Sequence, residues 1–483
     1  MSDISRSDKP AFSGSELCSM EAHQIVLLLR KGEVSPEELL EASKARIETV
    51  EPHVNAMPIT CWDRAKAASQ NLDAENKDHP GWMGGLPIGI KDLTPVKGVR
   101  TTFGTTGLAN FIPDASDPLV ERLEARGALV IGKTNTPEFG AGGNTFNDVF
   151  GPTLNPWNTK LNAGGSSGGA AVSLATGEVW LSHGSDHGGS LRTPASFCGI
   201  VGFRPSPGRA GGSSPDQAFV IEGVQGPMAR SVTDCALFLD AMSGHEPRFP
   251  ISFPAPEIPF REAVKEVDLK PRVAFTTDLN GFAQCDPEVR NHLTAFANKL
   301  ETYGATVEQV SPDVTNLEAT YHTLRGAMWA TAAKILPDAV RMHFKETLAE
   351  NTLFGQSLTT DDIFDAQINR SRLYGEMLSL FENFDVLAMP VVGCVPQPQS
   401  EEWVSEIDGV GLPGYMDWLR FAFLATTTGL PAMAVPTGFG PSGLPIGIQL
   451  VGKPRGEWEL LQIARMVEQI AGGPLSPIDA ITV

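Results

Sequence analysis

The chain has 483 residues, 41% hydrophobic and 19% charged, the balance of an ordinary folded protein rather than a disordered one. A net charge of −20 with no Lys/Arg cluster argues against nucleic acid and anionic membranes as partners, and no apolar run approaches the ~20 residues of a membrane helix. The polar Met1–Gly14 stretch lacks the apolar segment of a signal peptide, so the cytoplasm is the expected location. Six scattered cysteines without a CxxC pair give no support to a metal or redox site.

Helical spacing of Ile25, Leu28 and Leu29 ends at Gly32, and Ser35-Pro36-Glu37-Glu38 restarts a helix as a capping box with proline at its first position. Asp63–Leu72 continues helical. Leu86–Ile90 is a short apolar run, read as a buried strand with Lys91 and Asp92 at its end. A helix over Asp117–Arg126 and a strand over Ala128–Ile131 follow, then a small-residue helix over Ala170–Ala175 and a strand over Val179–Ser182. Strands at Arg272–Phe275 and Val307–Val310 flank a helix over Pro287–Thr302. Phe384–Val392 and Ile446–Val451 read as strands and Glu457–Ile470 as a closing helix. The alternation predicts an α/β fold around a mixed sheet. Leu317–Phe423 is the least regular stretch, rich in large side chains such as Trp329, Phe354, Tyr415 and Trp418.

Two serine-bearing segments, carrying Ser166 and Ser190, are glycine-rich: Gly164-Gly165-Ser166-Ser167-Gly168-Gly169 and Ser185-Asp186-His187-Gly188-Gly189-Ser190, the second followed by Arg192. A linker would not sit between structured elements on both sides. A phosphate loop needs lysine and Ser/Thr after its glycines, but Ala170-Ala171 stands there. An α/β-hydrolase elbow needs a strand before its serine and a late histidine, but Asn155–Thr159 is not strand-like and no histidine follows His343. Asp186, His187 and Ser190 are too close in sequence to relay naturally, and no Ser-x-x-Lys occurs. A buried, neutral lysine can also activate serine, which makes Lys91 a candidate beside its reading as a solvated strand-end lysine.

Gly164–Pro194 resembles the signature of the amidase signature family: both serines, Asp186, Gly188-Gly189, Arg192 and Pro194 fall in register. The similarity extends to Gly85–Asp92, Gly132–Phe139, Asn155–Asn158, Gly226–Val232, Gly429–Ala432 and Leu444–Gln449, covering about Met20–Ile470. It implies the amidase signature fold, a mixed twisted sheet with helices on both faces. The expected organisation is a polar tail over 1–15 and one domain over 16–475, comprising a helical N-terminal region (19–72), a catalytic core (84–245) and a more variable substrate-side region (about 312–423).

The resemblance also implies a Ser–cis-Ser–Lys triad: Ser190 as nucleophile, Ser166 as bridge, Lys91 as base, with a cis Gly165–Ser166 peptide. Backbone N–H groups of His187, Gly188, Gly189 and Ser190 form the implied oxyanion hole; Gly165, Asp186 and Arg192 support it. No metal or cofactor is called for. His187 replaces the family's more usual Thr or Ile, Thr426 stands where many members have Asn, and Ala388–Val391 replaces Thr-Pro-Thr, departures that argue against a close match to the transamidosome glutaminase subunit. The expected activity is hydrolysis of small apolar or aryl amides, extending to carbamates as in the urethane-cleaving branch, with esters as side substrates. An amidotransferase subunit delivering ammonia to a partner, or a hydrolase of lactam or nylon-type oligomers, stays open, as does a homodimer.

Overall fold

The computed structural model describes residues 11–72, 77–212 and 215–482. Its spine is an eleven-stranded sheet. The strands are β1 (Ile59–Thr60), β2 (Pro87–Lys91), β3 (Leu129–Thr134), β4 (Leu181–Asp186), β5 (Val201–Arg204), β6 (Val224–Ala229), β7 (Arg272–Phe275), β8 (Thr306–Gln309), β9 (Val386–Pro390), β10 (Ala432–Phe439) and β11 (Pro445–Val451). They lie in the order β1-β3-β2-β4-β6-β5-β10-β11-β9-β7-β8. β2 runs parallel to both β3 and β4, with Lys91 opposite Thr134 and Ile90 opposite His183, whereas β4 and β6 are antiparallel. The sheet is therefore mixed, as the alternating sequence pattern predicts.

Strand alternation feeds two cores. Val130 packs into one apolar cluster, while its neighbours Leu129 and Ile131 pack into the other. Helices α1 (Ala22–Lys31), α2 (Pro36–Val54), α3 (Pro118–Ala125), α4 (Gly168–Ala175), α5 (Arg192–Cys198) and α6 (Val232–Met242) supply side chains to these clusters. Leu40 and Ile47 of α2 and Ala170 of α4 lie on the Ile131 side; Leu119 of α3 and Phe238 of α6 lie on the Val130 side. Both faces are thus covered. Ser35 and Glu38 form the expected capping box at the start of α2, and Gly32 closes α1 in the left-handed region.

The closing half contains α7 (Pro287–Thr302), α8 (Leu317–Ile335), α9 (Glu346–Ser357), α10 (Thr360–Asn383), α11 (Phe423–Thr428) and α12 (Glu457–Ala471). Most of the stretch read as irregular is therefore helical. Its apolar period is blurred because Leu353, Phe364 and Ile368 point outward while Arg325 and Thr320 are buried. The strand expected at Val179–Ser182 starts later and runs through Asp186, because the polar His183-Gly184-Ser185-Asp186 run pairs with β6 and, at His183, with β2. Of the polar N-terminal stretch, residues 1–10 lie outside the described residues. Ala11 and Ser13 bond to Asp479, which also pairs with Arg46 at 2.7 Å.

Candidate active site

β2 presents a buried apolar strand that ends on an ionisable side chain. Lys91 is 0% exposed, and its Nζ lies 2.7 Å from Ser166 Oγ, 2.8 Å from Ser167 Oγ and 3.1 Å from Ser185 Oγ. No carboxylate lies within ion-pair distance of it among the described residues. Burial lowers the Lys91 pKa to about 7, against a smaller opposing pull from Asp186. A large fraction of the amine is therefore neutral near pH 7.

Ser166 reaches Lys91 from the turn before α4. The Gly165–Ser166 peptide is cis. Thr145 holds the turn from both sides: its hydroxyl donates to Gly164 C=O at 2.8 Å and accepts from Gly168 N–H at 3.2 Å. Ser167 joins this turn to the loop after β4. Its N–H donates to Ser190 C=O at 3.1 Å, and its hydroxyl donates to Ser185 C=O at 3.2 Å. The two serine-bearing segments, far apart in sequence, are thereby held together beside Lys91.

Asp186 organises the second segment. Its carboxylate accepts from Gly189 N–H at 3.2 Å, Leu191 N–H at 3.1 Å, Arg192 Nε at 3.0 Å and Nη2 at 2.8 Å, and Arg204 Nη1 at 3.2 Å. Burial alone would raise its pKa, but Arg192 and Arg204 overcome that and hold it below the usual carboxylate range. Gly189, expected among the oxyanion donors, therefore gives its N–H to Asp186. The N–H groups of His187, Gly188 and Ser190 have no acceptor among the described residues.

The loop's glycines are sterically required. Gly189 has φ +93°, and a Cβ on Gly188 would lie 2.5 Å from Tyr321 Oη. His187 packs its ring edge-on to Tyr321, with Nδ1 3.4 Å from the Tyr321 hydroxyl. Burial, reinforced by Arg325 and Arg204, pushes the imidazole well below its ordinary pKa, so the ring is uncharged at neutral pH.

The structure thus brings Lys91 and Ser166 into hydrogen-bond contact and seats Ser190 in the adjoining loop. Asp186 and Arg192 are interior supports. Sequence reasoning missed Ser167 and Ser185 as partners of Lys91, although both stand inside the quoted motifs. It also missed Arg204 as the second arginine on Asp186, and Tyr321, for which α8 carries no local signal. Thr426, noted only as a departure, donates its hydroxyl to His187 C=O.

Among the described residues, two clusters have the composition of metal ligands, and both have carboxylates engaged. Asp234 accepts the backbone N–H groups of Ala22 and His23, while Arg420 bridges Glu318 and Asp417 beside His322. A cavity of about 1230 Å3 is lined by Phe282, Glu318, His322, Phe354 and Asp417. It lies one ring pair from the loop that carries His187: His322 abuts Phe423, which stacks on Tyr321 at 3.6 Å.

Known proteins are similar to this chain along nearly its whole length. A sequence model described as "Amidase" matches residues 38–461. A glutamyl-tRNA(Gln) amidotransferase subunit of Synechococcus sp. (strain CC9311) is 35% identical over 479 residues, spanning 92% of this chain and 95% of that protein. A bacterial aryl acylamidase of the amidase signature enzymes superposes with a TM-score of 0.87 at 26% identity, covering 94% of this chain and 97% of the other. A 6-aminohexanoate cyclic dimer hydrolase with bound substrate gives a TM-score of 0.84 at 27% identity, covering 96% and 100%. The chain belongs to the amidase signature family of C–N-bond hydrolases.

Proposed function

We propose that the protein hydrolyses small apolar or aryl amides, carbamates included, through an acyl-enzyme on Ser190. The observation that carries this reading is the contact between a fully buried Lys91 and Ser166 at 2.7 Å. A neutral amine has two N–H donors and one lone pair. The Ser167 hydroxyl spends its own proton on Ser185 C=O, so it accepts one N–H of Lys91. Ser185 Oγ, at 3.1 Å, takes the other, leaving the lone pair for the Ser166 hydroxyl.

In the forward step Lys91 accepts the Ser166 proton as Ser166 takes that of Ser190, whose Oγ attacks the carbonyl carbon. The N–H groups of Gly188 and Ser190, with that of His187, receive the developing oxyanion. Collapse breaks the C–N bond, Ser166 protonates the departing nitrogen, and the Lys91 ammonium returns its proton to Ser166. Water repeats the sequence on the acyl-enzyme. With a carbamate, the amine leaves an alkoxycarbonyl-enzyme, and hydrolysis yields a carbonate half-ester that breaks down to alcohol and CO2. Apolar surroundings favour apolar substrates: Tyr321 and Met416 crowd Gly188, and Phe423 backs Tyr321. These residues support a substrate-side region at about 312–423.

One observation favours a second reading. Identity of 35% to an amidotransferase subunit supports ammonia release from glutamine for a partner protein. The likeness to a 6-aminohexanoate cyclic dimer hydrolase keeps lactam-type oligomers among the amides to assay. The purified chain is to be given aryl amides, aryl and alkyl carbamates, cyclic amide oligomers and glutamine, with products identified. Turnover of anilides and carbamates without preference for glutamine is expected, abolished in Ser190→Ala with the fold retained. Glutaminase activity alone supports the second reading, and wild-type turnover by Ser190→Ala rejects the mechanism.

A further inference from the structure

Thr426 lies in the last turn of α11, completely buried. A helical threonine ordinarily gives its hydroxyl to the carbonyl four residues back. Thr428 does so, donating to Leu424 C=O at 2.6 Å. The equivalent partner of Thr426 is Ala422 C=O, but that carbonyl already accepts Arg192 Nη1 and Nη2 at 3.4 Å each. Arg192 Nη2 also approaches Thr426 Oγ1 at 3.5 Å, so the hydroxyl oxygen acts as acceptor on that side. Its proton goes instead to the carbonyl of His187.

The consequence lies one atom away. In a trans peptide, C=O and N–H point in opposite directions. Holding His187 C=O against α11 turns the Gly188 N–H away from the helix, and that N–H has no acceptor among the described residues. Gly189, the next donor, is committed to Asp186. Gly188 cannot be braced by a side chain of its own, since a Cβ there would collide with Tyr321 Oη and Met416 Cε. The loop needs an external hold, and Arg192 aligns it by gripping Asp186 and the end of α11 together.

We infer that Thr426 is a positioning residue for the oxyanion hole: its hydroxyl fixes the His187–Gly188 peptide so that the Gly188 N–H meets the transition-state oxygen. This rests on the acyl-transfer reading given above. Thr426→Val keeps the shape and removes the hydroxyl; Thr426→Ser keeps the hydroxyl. Both are to be compared with wild type and Ser190→Ala on one aryl amide, together with inhibition by a trifluoromethyl ketone, which adds to serine as an oxyanionic hemiketal.

Thr426→Val is expected to lower kcat by roughly 10- to 100-fold, no more than the ~10²- to 10³-fold loss when an oxyanion donor is removed outright. KM should change less than about twofold, ketone inhibition should weaken in proportion to kcat/KM, and Thr426→Ser should recover most of the loss. A folded Thr426→Val with unchanged kcat, or one whose loss appears in KM while ketone affinity stays intact, overturns the inference. Should Thr426→Val fail to fold, the Ser variant decides: it must keep both kcat and ketone affinity, and loss of either counts against the hydroxyl. An active Ser190→Ala would instead break the acyl-transfer reading itself, so the two failures are distinguishable.

Discussion

Lys91 and Lys133 end up on adjacent strands, β2 and β3, both 0% exposed, in opposite surroundings. Lys133 Nζ sits 3.3 Å from Asp92 Oδ1 and donates to Thr94 C=O at 2.7 Å and Thr101 Oγ1 at 3.0 Å. Among the described residues, Lys91 hydrogen-bonds only to hydroxyls. Burial pulls both amines down, but Lys133 has a carboxylate within contact to favour its charged form. Asp92 follows Lys91 directly in the chain yet serves the other lysine. An unpaired buried lysine is poorly suited to holding a fold together and well suited to being a base; a paired one is the reverse.

The largest effect expected from this contrast follows removal of each amine. Lys91→Met should cost about 10²–10⁴-fold in kcat/KM, the range for a lost general base, with thermal stability preserved because no ion pair is broken. Lys133→Met leaves Asp92 buried without its cation and should lower stability by about 3–5 kcal/mol, while the folded fraction keeps its turnover. Chemical denaturation alongside active-site titration separates the two outcomes. Equal loss of activity per folded molecule in both variants would dissolve the distinction.

A smaller effect should come from Asp186→Asn. The Asp186 carboxylate favours the charged form of Lys91, so its neutralisation should move the acid limb of kcat/KM below pH 7. Arg192 and Arg204 lose their shared counter-charge, and the melting temperature should fall as well. A limb that moves upward contradicts the assigned electrostatics. The gentlest effect is in the wild type: Lys91 acts when deprotonated, so kcat/KM should fall about tenfold for each pH unit below about 7 and stay level just above it. His187, uncharged across this range, should add no second limb.

The strand of Lys91 was legible because Leu86–Ile90 has no polar side chain, and the serine loops because glycine cleared their backbones. Ser166 and Lys91 are 75 positions apart, and only the motif resemblance paired them before the geometry did. Asp186 within a strand was not legible, since His183-Gly184-Ser185-Asp186 has the composition of a turn and its pairing with β6 is a tertiary fact. Nor were α8–α10: outward Leu353, Phe364 and Ile368 with inward Arg325 invert the usual helical pattern. That the Gly189 N–H, one of the expected oxyanion donors, donates to Asp186 was not legible either, because a sequence shows which residues could offer an N–H, not which one a neighbouring carboxylate accepts. Tyr321 reaches the loop from α8, 131 positions after Ser190, with no spacing rule to announce it.

The central claim, that Lys91 is a neutral base at working pH, is tested most directly by titrating the amine itself. Selective 13C labelling at lysine Cε, with the Lys91 resonance assigned by its loss in Lys91→Arg, gives the pKa by NMR in the otherwise intact protein. A titration centred near 7 is the expected result. A Lys91 resonance that stays in its ammonium form up to pH 9 would contradict the account.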